Sequence, residues 1–159
     1  YDEPGRVEAL FEAMHRVIKR RAEIIAERHP FDVVYSVENT STTLISPDMF
    51  RAYCVPHLTE YGRILTEAGK VHVLHMCGKL KALLPDIGGL PAQANEAFTS
   101  PPVGNTTFAD GRTDMPDRCL IGGTNATLWL EAAETIIETI GYMYEKKEKE
   151  LPEACQFGD

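Results

Sequence analysis

The chain lacks the features that would make it a membrane span, a disulfide scaffold or a nucleic-acid binder. No apolar run approaches the roughly 20 residues a membrane helix needs, and the acidic opening Tyr1-Asp2-Glu3 is unlike a signal peptide. Basic residues are scarce, 16 Lys plus Arg against 24 Asp plus Glu, so a formal charge of −8 leaves no basic face for a phosphate backbone. Only four cysteines occur, Cys54, Cys77, Cys119 and Cys155, far apart in a chain long enough to build its own core. The expectation is a cytoplasmic protein with no nucleic acid or membrane among its partners. The chain also opens without Met and enters a helical pattern within a few residues, which reads as a segment excised from something longer.

What is present is an ordinary globular composition: 159 residues, 43% apolar and 25% charged. No repeat, linker or low-complexity stretch divides it, so 1–159 reads as one domain. Val7, Leu10, Phe11, Met14, Ile18 and Ile25 recur at three- and four-residue steps, predicting an amphipathic helix over 4–28 with one buried stripe. His29-Pro30 ends it, and the β-branched and aromatic run 31–37 predicts a strand. Ser46-Pro47-Asp48 is a helix start, with a Ser cap, Pro in the first turn and Asp at the positive end; Pro56 should kink that helix before Gly69 closes it. Further strands are predicted over 71–76, 93–98 and 118–122. Helices are predicted over 80–84, within 106–114 and, along Trp129, Ala133, Ile136, Ile137, Ile140 and Tyr144, near the end. Strand, loop and helix thus repeat about four times, the pattern of parallel βαβ units, about half of a (β/α)8 TIM barrel.

In such folds chemistry sits at the carboxyl ends of the strands. All four predicted strands end there in polar or Gly-rich residues: Glu38-Asn39-Thr40, His75-Met76-Cys77-Gly78, Glu96 and Gly122-Gly123-Thr124-Asn125. His75 and Cys77, two apart, share a strand face, and imidazole and thiolate are preferred zinc ligands. Glu96, Glu38 or Cys155 could complete a set; equally, His75 could be a hydrogen-bonded core histidine and Cys77 a small core residue. The loop after Glu38 could line a substrate pocket or be a polar turn. Gly122 to Asn125 could offer backbone donors to an anion or be a tight turn capped by Asn125. Cys54 and Cys119 read as core, and His15, His29, His57 and His72 as packed or solvated.

Taken together, Ser46-Pro47-Asp48-Met49-Phe50 with Pro56 downstream, Gly69-Lys70, His75-Met76-Cys77-Gly78, Leu83-Leu84-Pro85, Glu96-Ala97-Phe98 and Gly122-Gly123-Thr124-Asn125 resemble the uroporphyrinogen decarboxylase superfamily. The resemblance runs in order over 31–140 and is strongest to the corrinoid-dependent, methylcobamide:coenzyme M methyltransferase branch. It implies a (β/α)8 barrel of which this chain is the C-terminal half. It further implies a zinc ion held by an H-x-C pair, matched by His75 and Cys77, and by a later cysteine, for which only Cys155 lies late enough. The Gly-rich surroundings expected of that cysteine are absent from Ala154-Cys155-Gln156-Phe157. Glu96, 19 residues after Cys77, falls about where a related barrel, cobalamin-independent methionine synthase, has a ligating Glu.

The activity so implied is transfer of a methyl group from a methylated corrinoid protein to a small thiol acceptor activated on zinc. Glu38 and Asn39 would be catalytic, and Thr40 and Asn125 would orient the acceptor. The alternatives are a decarboxylase-like carboxy-lyase of tetrapyrrole biosynthesis, or a half barrel without catalytic activity. True uroporphyrinogen decarboxylases do not use an H-x-C pair, and their substrate-binding Arg and Asp lie in the other half. A half barrel exposes two sheet edges and an apolar interior, from which a homodimer is expected.

Overall fold

A computed structural model describes residues 2–150. Helix α1 (Pro4–Arg28) starts on a proline and stops where His29, extended at φ −89° and ψ 132°, precedes Pro30. Strand β1 (Val33–Val37) follows, and then α2 (Pro47–Met49), whose first turn is capped by the Ser46 hydroxyl accepting from Met49 N. The kink expected at Pro56 appears as a wide turn over Phe50–Cys54, in which Val55 N–H reaches Phe50 O five residues back. Proline has no N–H to give to the preceding turn, and regular helix resumes as α3 (Val55–Glu67). The remaining elements are β2 (Val71–His75), a 3-10 turn leading into α4 (Leu84–Gly88), β3 (Ala94–Phe98), α5 (Phe108–Asp114), β4 (Cys119–Gly122), a 3-10 turn over Ala126–Leu130, and α6 (Ala133–Glu150).

The four strands form one parallel sheet in the order β1-β2-β3-β4. This is the α/β arrangement of a partial (β/α)8 barrel. Tyr35 stands opposite Val73, Val37 opposite His75, and His75 opposite Glu96.

Side chains alternate across the sheet. On the helix-covered face Leu74, Met76 and Phe98 join Phe50, Leu58, Leu83, Leu84 and Ile87 in a core that excludes water almost completely. Each such side chain contributes about 1.5–3 kcal/mol through burial. His72 lies in this layer, 1% exposed, with both ring nitrogens used: Nδ1 donates to Pro91 O at 3.2 Å, and Nε2 accepts from the Ser36 hydroxyl at 2.9 Å. Gly62 keeps α3 close at this point, because a Cβ there would sit 2.4 Å from Pro91 O.

The other face is uncovered towards its edges, while Val73 and Ala94 at its centre are buried. Val33, Tyr35, Val37, Val71 and Ile121 are exposed on it, and so is Cys119. Cys119, expected in the core, points to the uncovered side because it pairs with Ala94 two positions before Glu96. Cys54 is half-buried and packs against the core.

The helical stripes also differ from expectation. On α1 only Ala22 is buried, while Val7, Leu10, Phe11, Met14 and Ile18 are exposed. Trp129, Ile137 and Ile140 are likewise exposed. Periodicity marks the face that seeks burial, and only part of it is met: Phe11 packs edge-on against Tyr53 at 5.7 Å and Ala22 is buried. Polar contacts join α1 to α3 as well. His15 receives the Tyr61 hydroxyl at Nδ1 (2.8 Å), gives Nε2–H to Glu60 (2.8 Å) and stacks on His57 at 4.1 Å, while Lys19 pairs with Glu60. No helix among the described residues is long and apolar enough to cross a membrane.

Candidate functional site

Every strand leaves the sheet through left-handed backbone at its carboxyl end: Asn39 (φ 40°), Gly78 (φ 97°), Ala97 (φ 57°), and Gly122 and Gly123 (φ 133° and 95°). Glycine adopts this conformation freely, but Asn and above all Ala do so at a cost. Such strain gathers where a structure needs a particular side-chain placement. At Ala97 the left-handed backbone lies directly after Glu96, and its main-chain N–H helps to lower the Glu96 pKa.

The sheet brings Tyr35, His75 and Glu96 together on its bare face. His75 Nδ1 lies 2.5 Å from Glu96 Oε2 and 2.7 Å from the Tyr35 oxygen, and the Tyr35 hydroxyl donates to the same Glu96 oxygen. His75 and Glu96 are largely shielded, at 22% and 29% side-chain exposure. Burial alone would raise the Glu96 pKa, but the hydrogen bonds from Tyr35 and His75 outweigh it and hold the carboxyl below its ordinary range. Partial desolvation, reinforced by the Glu96 carboxylate, pushes the half-exposed Tyr35 up to about 12. The phenol therefore keeps its proton. His75 Nε2 makes no hydrogen bond to a described residue.

Cys77 stands half-buried two positions beyond His75, its Sγ 3.6 Å from Asn39 Oδ1. The structure thus gathers five residues at the ends of β1, β2 and β3: Tyr35, Asn39, His75, Cys77 and Glu96. Tyr35 is the member that sequence reasoning missed.

The other expected residues lie elsewhere. Glu38 is one position out of phase with Tyr35 and Val37, and its charge bears on Cys54 and Tyr61 of the helix layer. Desolvation there pushes its pKa from 4.5 up to about 7, so near neutrality it can give or take a proton. Thr40 is buried, and its hydroxyl turns back onto Glu38 O at 3.3 Å. Ser41 and Thr42 tie this loop to the one after β2 through Lys79 N (3.1 Å) and Lys79 O (2.9 Å). Asn125 does not cap the following turn; its amide donates to Pro101 O at 2.9 Å. Gly123 N–H, a candidate anion donor, is taken by Phe98 O. Cys155 lies outside the described residues.

As a metal site the arrangement fits in part. His75 and Cys77 offer the nitrogen and sulfur that zinc prefers, and a ligating histidine commonly gives its other N–H to a carboxylate, as His75 does to Glu96. The contacts from His75 and Tyr35 both fall on Oε2 of Glu96. Among the described residues no group of three His, Cys, Asp or Glu side chains could hold a metal by itself. A cleft of about 290 Å³ lies at the opposite, amino end of the sheet between Gln93, Asp114, Asp117 and Arg118, away from these residues.

A parallel sheet with its polar residues collected at the strand ends is the arrangement of a partial (β/α) barrel. The family profile described as uroporphyrinogen decarboxylase (URO-D) matches residues 1–151, and the chain belongs to that family. The fold is similar to that of a methyltransferase from Methanosarcina mazei, with a TM-score of 0.51 and 21% identity over 67% of this chain. The matched part spans 31% of that chain, about a third of its length. No curated protein matches the sequence.

Proposed function

We propose that the chain supplies one wall of the active site of a cytoplasmic, zinc-dependent methyltransferase that moves a methyl group from a methylated corrinoid protein to a small thiol. The carrying observation is the pair His75 and Cys77, two residues apart where β2 ends, with His75 Nδ1 on Glu96 and Nε2 left for another partner. Membership of the URO-D family and the fold shared with a methyltransferase support this reading.

In this reading His75 Nε2 and Cys77 Sγ hold the metal, and Cys155 is a candidate for the third donor. Zinc bound there would lower the pKa of a coordinated thiol until the thiolate prevails at neutral pH. Glu96 and Tyr35 keep the His75 ring in place, and Asn39 steadies the Cys77 side chain. Thr40 and Asn125, expected to orient the acceptor, direct their polar atoms onto main chain, which leaves Asn39 beside Cys77 for that task. The bare sheet face, with Val33, Val37 and Val71 beside the site, is the apolar surface that a second copy would cover in the expected homodimer.

The family's own description favours a second reading, a decarboxylase-like carboxy-lyase acting without metal. Elemental analysis separates the two. About one zinc per chain, lost in both His75→Ala and Cys77→Ala, is the methyltransferase outcome. Metal-free protein that binds a porphyrinogen is the carboxy-lyase outcome.

A further inference from the structure

We propose that α1 is held on α3 by a proton-sensitive latch, the stacked imidazoles of His15 and His57, and that acid loosens the helix from its seat. Most of the apolar stripe of α1 is exposed, including Val7, Leu10, Met14 and Ile18, so apolar burial alone does little to hold this helix. A compact polar cluster takes up that task. The rings of His15 and His57 lie 4.1 Å apart and 39° from parallel, so a charge on one is felt directly by the other.

The two rings are unequally provided for. His15 gives Nε2–H to Glu60 and receives the Tyr61 hydroxyl at Nδ1, so both nitrogens are occupied while the ring is neutral. His57 makes no hydrogen bond to a described residue. Partial burial, and after it the His15 ring, hold the His57 pKa below 6.5 against the longer-range pull of Glu12 on α1 and Glu60 on α3. Lys19 of α1 pairs with Glu60 and competes with His15 for it. Glu38, at the end of β1, bears on Tyr61, but its own titration acts in the opposite direction, favouring the folded chain in acid.

A docked α1 therefore binds fewer protons than a released one wherever the freed His57 would be charged. Docking is at full strength above pH 6.5, weakens as pH falls below it, and reaches its floor under the lowered value. The helix also has a hinge. Lys70 Nζ donates to His29 O at 2.8 Å and Val71 N to Asp32 O at 2.8 Å, so the link to β1 stays pinned while α1 swings. The extended backbone of His29, ahead of Pro30, already breaks the helical run there.

The test is amide hydrogen exchange of the whole chain at about pH 7.5 and about pH 5, corrected for the pH dependence of exchange itself. Peptides from 4–28 should open several-fold more often at the lower pH, while those of β2 and β3 stay protected. His57→Gln should make the opening of α1 independent of pH. His15→Gln, which keeps a donor for Glu60 but carries no charge, should diminish the response, and Glu38→Gln should leave it in place. Thermal melting checks that each variant is folded; His57→Phe, which keeps a flat ring against His15, replaces His57→Gln if that variant is not. Exchange of α1 indifferent to pH in the wild type, or a response that survives loss of the His57 imidazole, overturns the latch. So does a response spread evenly over β2 and β3, which is global loosening, and an undiminished response in His15→Gln overturns the pairing of the two rings.

Discussion

The two ends of the sheet treat their polar residues in opposite ways. At the amino end Arg118, 8% exposed, gives NH1 to Ile87 O (2.8 Å), Asn95 Oδ1 (2.9 Å) and Met115 Sδ (3.5 Å), and gives NH2 to Gly88 O (3.2 Å) and Leu90 O (2.5 Å). No carboxylate is among these partners, and burial lowers the pKa of the guanidinium. The group is used up in closing the loop after α4 onto the start of β4. At the carboxyl end His75 keeps one nitrogen open and Cys77 has only a long contact to Asn39. A saturated polar cluster stabilises, whereas an unsaturated one is available for chemistry.

This contrast predicts where mutation will hurt. Arg118→Met should have the largest effect, on the order of 3 kcal/mol or more, because it strips the donor from several buried carbonyls. A urea midpoint little changed from wild type would break the contrast. Glu38→Gln should come next, with an effect that depends on pH. Between pH 4.5 and about 7 the folded chain holds a Glu38 proton that the unfolded chain has released, so wild-type stability falls as pH rises through that window. The variant should therefore gain up to about 3 kcal/mol at pH 8 and nothing at pH 4, measured by denaturation at the two pH values. Ala97→Gly should stabilise by no more than about 1 kcal/mol, by relieving the left-handed alanine, and a thermal melt would show it. Cys77→Ser should alter stability by less than about 0.5 kcal/mol. The same substitution should abolish metal retention, so an equal loss of stability and metal would return Cys77 to the role of core residue.

Much of the frame was legible in the sequence. The runs around Val34, Val73, Ala94 and Leu120 became the four strands to within two residues at each boundary, because strand signals are local: β-branched content in three of the runs, and Gly or Pro near the exits. His75, Cys77 and Glu96 were legible because their residue types are rare at strand ends and carry chemistry. Tyr35 was not, since an aromatic inside a strand normally signals packing. Its role depends on standing opposite Val73, two pairs before the Val37 to His75 pairing, and register between strands is not written in either strand alone. Glu38 shows the same dependence on alternation. It closes the same strand, but one step of alternation turns it toward Cys54 and Tyr61. Cys119 and the α1 stripe show that hydrophobicity reports what a residue seeks, while exposure also depends on what lies opposite.

Tyr35 bridges β1 to a carboxylate on β3, passing over β2. Neighbouring strands stand about 4.8 Å apart, so this reach corresponds to roughly 10 Å between backbones. The phenol is then a gauge block set between alternate strands, long enough to touch only while the sheet keeps its spacing and twist. Opening or sliding of β1 would lift the gauge before it disturbed the buried layer, and the ultraviolet signature of a tyrosine losing its carboxylate partner would record it.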